Sequence, residues 1–531
     1  MQPQTSSPIQ RWQGIALTLG VIVILFLSLY NLTNFPTTWF DEGSHLHVPK
    51  TFVRYGVYAD YSSEGYRYFG PRIGVGPTVM LPIAAAFELF GIGLLQARLV
   101  MAIYLLLAIL AFFQMVRVLN IETLKVSFPT NTFGNQRALP NQYNDQAKKP
   151  LASLALIATG LLVTSRGIAL LETGRQLLGE VPGMFFIVAG LALWFSAWER
   201  AGWRRLIGIG ILFGLGMVTK YQYLLIFGPA LALAWLANLI YYRATPQRTF
   251  LIPGIVAALC FGAWQVYSIL YLGPATASEN FALLRQAAAG AATAFSPELM
   301  QRALGELFSA KVFFWAWLPA LAYGLIISLR RTREGQQWGV LFLIVVINLV
   351  WYVFASISWL RYAFLGLGIT SLFVARFFVD ALHALRSPTI ARKLTRFALA
   401  GWLGVLLIVP LAQDARDVIA PPLNAPAAMA QYLDAHVARA ALIETWEPEM
   451  GFLTDHQYHF PPASLLPKAV AYIWLHQAPP AQFYALDPAH LPNYILVGEF
   501  ARWVNLYPPD LLAARYRLET RIGAYELYAL N

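Results

Sequence analysis

The sequence predicts a polytopic α-helical membrane protein. Three observations carry this. First, 58% of the 531 residues are hydrophobic and only 12% are charged, against about 25% charged residues in an ordinary soluble domain. Second, apolar runs long enough to cross about 30 Å of hydrocarbon, or slightly short in the way tilted bundles tolerate, recur along the chain. Third, the Lys and Arg residues behind the formal charge of +11 sit in short clusters between those runs. A nucleic-acid-binding protein would gather them on one solvated face, so nucleic acid is not an expected partner.

The first run, Ile15 to Tyr30, is followed by Asn-Leu-Thr-Asn-Phe-Pro and not by a small-residue cleavage site, so it reads as a retained helix. Further runs are Leu99 to Val116, Leu151 to Leu171, Met184 to Trp198, Leu206 to Thr219, Tyr221 to Tyr241, Leu251 to Leu270, Phe313 to Leu329, Val340 to Ser356, Tyr362 to Val379 and Phe397 to Leu411. The apolar segment Pro77 to Phe90 decides the topology. If it does not span, the clusters Arg117/Lys125/Arg137/Lys148/Lys149, Arg200/Arg204/Arg205, Arg243/Arg248, Arg330/Arg331/Arg333 and Arg386/Arg392/Lys393/Arg396 all fall on the side of the N-terminus. That satisfies the positive-inside rule at every loop. Pro77 to Phe90 is therefore read as interfacial or re-entrant, which leaves about eleven crossings, a cytoplasmic N-terminus and an integral plasma or inner membrane protein.

This topology divides the chain into a transmembrane part, residues 1–413, and an extracytoplasmic α/β domain, residues 414–531. The second begins where the composition turns Pro-rich and mixed. It holds strand-like runs at Ala441 to Trp446 and Tyr494 to Phe500, and a hairpin pattern around Ile522-Gly523. The outer face of the first part carries the loop 31–95 with interfacial helices, short loops at Glu172 to Glu180 and Lys220, and a loop at 273–311. The tract Gln286-Ala-Ala-Ala-Gly-Ala-Ala-Thr-Ala predicts that this last loop is mobile. The single cysteine, Cys260, lies in an apolar run, so neither a disulfide framework nor a Cys-based metal site is expected.

Ionisable residues converge on the outer face. The stretch Trp-Phe-Asp-Glu-Gly-Ser-His-Leu-His places Asp41 and Glu42 side by side, and Glu180 lies in the second outer loop. Cations nearby are Lys50, Arg54, Arg67, Arg72, Arg166, Arg175, Lys220 and Arg361. Carboxylates at a membrane edge are costly to desolvate, so their default reading is functional. The alternative is that each is an ion-pair partner holding loops to helices, although two adjacent acids exceed what one such pair requires. His45 and His47 raise a metal question, but at i, i+2 their rings share a face on a strand and diverge on a helix. The aromatics Tyr58, Tyr61, Tyr66, Tyr68 and Phe69 fit both an interfacial belt and a sugar-stacking platform.

Several short motifs stand in a telling order. These are the acidic first outer loop, a Gly-Pro-x-x-x-x-Pro segment, Gly91 to Arg98-Leu99, an Arg-x-x-x-x-Glu-x-Pro second loop, a Gly-x-x-x-x-Thr-Lys turn and a late Arg-Tyr. The layout resembles bacterial polyprenyl-phosphate-dependent glycosyltransferases of the GT-C fold, a family that includes protein O-mannosyltransferases and the lipid A aminoarabinose transferase. The resemblance runs by motif from about Phe40 to Leu365. It implies an inverting transfer of a hexosyl or pentosyl group from a polyprenyl phosphate to a protein, lipid or glycan acceptor on the outer face.

Under that resemblance, Asp41, Glu42 and Glu180 are the catalytic acids, with Asp41 the base that takes the acceptor proton. Lys220, Arg361, Arg72 and Arg175 are the donor-phosphate cations that offset charge on the leaving group, and Arg175 also orients Glu180. The family pattern often has Asp where this chain has Glu180. No cofactor is demanded, and a divalent cation is left open with His45 and His47 as its nearest ligands. A transporter or flippase of lipid-linked sugars is the alternative. It would place ionisable residues at the midplane of several helices and show paired broken helices in two related halves, and neither is visible in the sequence.

Overall fold

The structure is a computed structural model that describes residues 8–68, 75–126, 149–196, 198, 201–291, 293–385, 389–480 and 483–531. Among the described residues six helices are long and apolar enough to cross a membrane: Leu94–Leu119, Gln222–Tyr242, Arg248–Leu272, Arg333–Ala355, Leu360–Ala384 and Ile390–Ile419. Shorter apolar helices are Leu17–Leu29, Pro77–Phe90, Ser153–Thr164, Glu180–Ser196 and Trp317–Ser328. The long helices differ in what they face. Only 11% of the apolar window of Arg248–Leu272 and 17% of that of Ile390–Ile419 is buried, against 78% for Leu360–Ala384. The first two are therefore peripheral, presenting side chains such as Leu259 and Leu270 outward, and the third is the centre of the bundle.

Chain chemistry explains where the expected runs depart from the observed helices. The run Leu151 to Leu171 breaks into Lys149–Thr164 and Leu170–Arg175, because Ser165 to Ala169 form a turn in which Ala169 takes a positive φ of 50°. The run Phe313 to Leu329 loses its first residues to a kinked turn at Phe313–Trp315 before Trp317–Ser328 begins. The segment 273–311, read from the sequence as a mobile outer loop, contains helices Pro274–Ala291 and Pro297–Leu307. Each starts on a proline, whose fixed φ suits a first helical position, and Ser296 caps the second through Leu299 N.

The loop 31–95 is likewise structured. Helix Phe40–Tyr55 ends at Gly56 in the left-handed region, φ 70°. A short hairpin follows, with β1 (Asp60–Ser62) antiparallel to β2 (Gly65–Arg67). Helix Pro77–Phe90 then returns to the bundle, packing on Phe40–Tyr55 and on the long helix Leu94–Val126.

The terminal domain is a five-stranded sheet in the order β4-β3-β5-β7-β6. Strand β3 (Leu442–Thr445) lies parallel to both β4 (Gln457–His459) and β5 (Tyr494–Val497). Strands β6 (Tyr516–Ile522) and β7 (Tyr525–Leu530) form a closing hairpin whose turn contains Gly523 at φ 57°. Helix Ile390–Ile419 runs past the expected boundary at 414 before the domain begins. The domain seats its short helix Pro448–Leu453 on helix Phe40–Tyr55. Glycine makes the close approach feasible, since a Cβ on Gly43 would lie 2.3 Å from Glu449 Cα. Lys50 then caps the C-terminal end of that short helix. Its Nζ donates to the carbonyls of Gly451 (2.8 Å), Phe452 (3.0 Å) and Thr454 (2.9 Å), and pairs with Asp455 at 2.8 Å.

Candidate active site

Helix Phe40–Tyr55 begins with two acids, which its N-terminal dipole favours. Successive residues on a helix point about 100° apart, so the two carboxylates meet different surroundings. Glu42 turns inward and is fully buried. Arg98 grips it in a forked pair, Nε to Oε1 at 2.9 Å and Nη2 to Oε2 at 2.6 Å, and the same guanidinium donates to Leu32 O at 2.6 Å. Asp41 turns toward a partly open cleft and pairs with Arg361, Nη2 to Oδ2 at 2.5 Å, with side-chain exposures of 25% and 21%. The argument that two adjacent acids exceed one structural pair is thus answered by two pairs, one sealed and one open.

Arg361 stands in a cage of rings. Its guanidinium lies 4.5 Å from the Trp359 ring centroid, 5.1 Å from Trp39 and 5.7 Å from Tyr362. Such contacts hold an arginine in place without consuming its donors. Among the described residues Nε and Nη1 of Arg361 are buried with no hydrogen-bond partner, while Nη2 serves Asp41. Unpartnered buried donors on a fixed guanidinium are what an anionic ligand would satisfy.

The second pair, Glu180 with Lys220, stands beside the first. It forms where helix Glu180–Ser196 begins and helix Trp203–Thr219 ends. Close backbone packing makes this junction. Gly76 N donates to Thr219 O at 2.9 Å, Thr78 and Thr219 share a hydroxyl bond of 2.7 Å, and a Cβ on Gly76 would lie 2.0 Å from Val218 O. Tyr223 OH donates to the Glu180 carbonyl. One carboxylate oxygen of Glu180, Oε2, has no hydrogen-bond partner among the described residues.

Charges across the two pairs interact. Burial pushes the Asp41 carboxyl up, but the Arg361 guanidinium, together with His45 and Lys220, outweighs it and holds Asp41 below its ordinary value. Burial is also the main reason His45 titrates below the usual histidine range, although Asp41 pulls the other way.

The other expected site residues lie elsewhere. Arg175, expected to orient Glu180, is buried among the carbonyls that end the first helix. It donates to Leu27 O at 3.3 Å and to Tyr30 O, and its guanidinium lies 5.5 Å from the Phe35 centroid. It therefore satisfies orphan helix-end carbonyls, and the expectation that it steers Glu180 is corrected. Arg72 and Phe69 fall outside the described residues. Arg166 pairs with Asp414 and Asp417, while Lys50, Arg54 and Arg67 serve the terminal-domain contact and the β-hairpin.

The metal ligands do not converge. His45 Nδ1 donates to Leu177 O at 2.8 Å, whereas His47 faces Gly451 and the Phe460 ring. Among the described residues no group of three His, Cys, Asp or Glu side chains is arranged to hold a metal ion. His45 and His47 therefore do not form a shared pair of cation ligands.

Sequence reasoning passed over two features. Arg98 was read only as the opening of a helix, and nothing local in Gln-Ala-Arg-Leu announces a partner 56 positions away. The cage had a visible signal in Ser-Trp-Leu-Arg-Tyr, where aromatics flank Arg361, but Trp39 joins it only through the fold. The loop tyrosines Tyr55, Tyr61 and Tyr66 pack on one another, 5.3–6.0 Å apart, so they form a small cluster of their own.

No protein-family model matches the sequence, and no curated protein matches it. Solved structures do. ArnT from Cupriavidus metallidurans, crystallised bound to undecaprenyl phosphate, aligns over 98% of both chains at 12% identity with a TM-score of 0.62. The oligosaccharyltransferase AglB from Archaeoglobus fulgidus, in complex with an inhibitory peptide and a dolichol-phosphate, aligns over 99% of this chain and 75% of its own at 12% identity and a TM-score of 0.55. A structure of the same oligosaccharyltransferase with zinc and sulfate aligns at 13% identity and a TM-score of 0.56. Both neighbours have the GT-C architecture and match from one end of this chain to the other, so the protein has the GT-C fold.

Proposed function

We propose that the protein is an inverting membrane glycosyltransferase that moves a sugar from a polyprenyl phosphate to an acceptor hydroxyl at the Asp41 cleft, on the extracytoplasmic face. The observation that carries this reading is the open Asp41–Arg361 pair standing beside Glu180–Lys220, with donors on Arg361 left unpartnered. A lipid-linked phosphate stays at headgroup depth, and these groups sit where helices emerge. The crystallised ArnT holds undecaprenyl phosphate and the crystallised AglB a dolichol-phosphate, which supports a lipid-phosphate donor here as well.

The chemistry follows from the charges. The phosphate of the donor engages Lys220 and the free donors of Arg361. As it draws on Arg361, Asp41 loses part of the cation that depresses its proton affinity and becomes a better base. The acceptor oxygen attacks the anomeric carbon from the face opposite the phosphate while its proton passes to the Asp41 carboxylate. The bond from the anomeric carbon to the phosphate oxygen breaks, and polyprenyl phosphate leaves with its new charge facing the two cations. Glu180 holds Lys220 in position, and Glu42 holds the helix that carries Asp41.

The test is release of polyprenyl phosphate and transfer of radiolabel from a panel of polyprenyl-phosphate hexoses and pentoses, by purified wild type and Asp41→Asn, with and without chelator. Wild-type turnover that Asp41→Asn abolishes, in a folded protein that still binds donor, is the expected result. Full activity in Asp41→Asn would remove the base assignment. Saturable donor binding with no turnover of any sugar would favour a flippase.

A further inference from the structure

A second feature of the cleft bears on the acceptor, and it rests on the transferase reading above. Beyond the Asp41–Arg361 pair lies a cavity of about 310 Å³ lined by Trp39, Trp359, Arg361, Arg302, Glu306 and Trp503. Its walls come from four places in the chain: the entry to helix Phe40–Tyr55, the turn before the central helix, helix Pro297–Leu307, and the terminal domain, which supplies Trp503. Arg361 and Trp39 belong both to this cavity and to the guanidinium cage, whereas Glu180 and Lys220 are not among the described residues that line it.

We propose that this cavity is the acceptor subsite and that it takes a pyranose ring, so the acceptor is the sugar of a glycan or of a glycolipid headgroup. Three properties favour that occupant. The volume sits at the low end of ligand pockets, about 300–1,000 Å³, which suits a ring or two better than a folded peptide segment. The walls are indoles, whose electron-rich faces accept the C–H face of a pyranose. These indoles are braced by other rings: Trp359 lies 4.9 Å from Trp474, Trp474 lies 6.2 Å from Trp503, and Phe500 lies 5.1 Å from Trp503. Trp503 nonetheless remains 40% exposed at the rim.

The third property is the polar pair on helix Pro297–Leu307. Arg302 holds its guanidinium 5.4 Å from the Trp474 centroid, and Glu306 lies one turn further on. Together they offer donors and an acceptor at the edge of the stacking surface, which is what neutral sugar hydroxyls use.

The experiment measures transfer by the full-length wild type and by Trp503→Ala from the polyprenyl-phosphate panel to three acceptors: soluble disaccharides (mannobiose and diacetylchitobiose), the same disaccharides on a lipid anchor, and a Ser/Thr-rich peptide. The expected result is transfer to a disaccharide with an acceptor KM that rises tenfold or more in Trp503→Ala, that Trp503→Phe largely restores, and with no matching change in the donor KM. Use of the soluble disaccharide would identify a free glycan as the source, and use of the anchored one alone a glycolipid. An acceptor KM unmoved by Trp503→Ala, or transfer to the peptide alone, would overturn the subsite while leaving the transferase reading intact. No consumption of any donor by wild type would overturn that reading itself.

Discussion

Asp41 and Glu42 are neighbours in sequence, each is ion-paired to an arginine, and yet they occupy opposite physical situations. The Glu42–Arg98 pair has zero exposure on both sides and a forked geometry, with further bonds to Leu32 O and from Leu177 N. The Asp41–Arg361 pair is a quarter exposed, uses one of Arg361's nitrogens, and leaves two others without partners. A sealed pair with its hydrogen-bonding capacity used is a fastener, and breaking it leaves an uncompensated buried charge. An open pair with spare donors can exchange its partner for a substrate at little cost. Ion pairing alone therefore does not distinguish structural acids from reactive ones; the unused capacity of the cation does.

The comparison can be broken experimentally. The largest expected effect is on the open pair: Asp41→Asn should lower kcat by about 10²–10⁴ if it removes a general base, with the thermal midpoint in detergent unchanged within a degree or two. A Glu42→Gln variant with the same kinetic signature and normal stability would erase the distinction drawn between the two acids. Next, Lys220→Met should lower kcat/KM for the donor by about 10²-fold, as for loss of one preorganised donor to developing charge. Kinetics with donor as the varied substrate would check it.

The sealed pair should respond in stability. Arg98→Met should cost about 3–5 kcal/mol because Glu42 is left buried and unpaired, read as a fall in thermal midpoint before any change in kcat of the folded fraction. Replacing both partners with apolar residues should recover much of that loss.

The smallest expected effect is a pH dependence of the contact between the terminal domain and helix Phe40–Tyr55. Burial raises the Glu449 carboxyl to about 7, and burial together with Glu449 raises Glu447 further. A hydrogen bond to Glu444, and the charge of Glu64, raise His459. For all three the folded state holds protons that the unfolded state releases, so the stability they contribute is present in mild acid and lost as pH rises through the folded values. Asp455 acts oppositely, since its hydrogen bonds to Arg54 and Lys50 depress it and its contribution is lost only in strong acid. Amide protection factors in Pro448–Leu453, corrected for the intrinsic pH dependence of exchange, should therefore be higher at pH 5.5 than at pH 8. Lower protection at pH 5.5 would contradict this assignment.

The membrane class and the succession of apolar helices were legible in the sequence. Hydropathy and charge placement are properties of local runs, and a helix in a bilayer must satisfy its own backbone hydrogen bonds wherever its neighbours lie. The same reasoning lost ground where the chain leaves the bilayer. The helices of the segment 273–311 were hidden by low complexity, and the break at Ser165–Ala169 by an unbroken apolar composition.

The partners of each charge were decided by tertiary structure alone. Arg175 sits five residues before Glu180 but serves the end of the first helix, while Arg361 reaches back 320 positions to Asp41. An ion pair needs only a few ångströms of proximity, and residues distant in sequence acquire that when helices pack. So the sequence determined which charges flank the apolar runs, because burying them in lipid is costly. Only packing determined which are fasteners and which are left with capacity for a substrate.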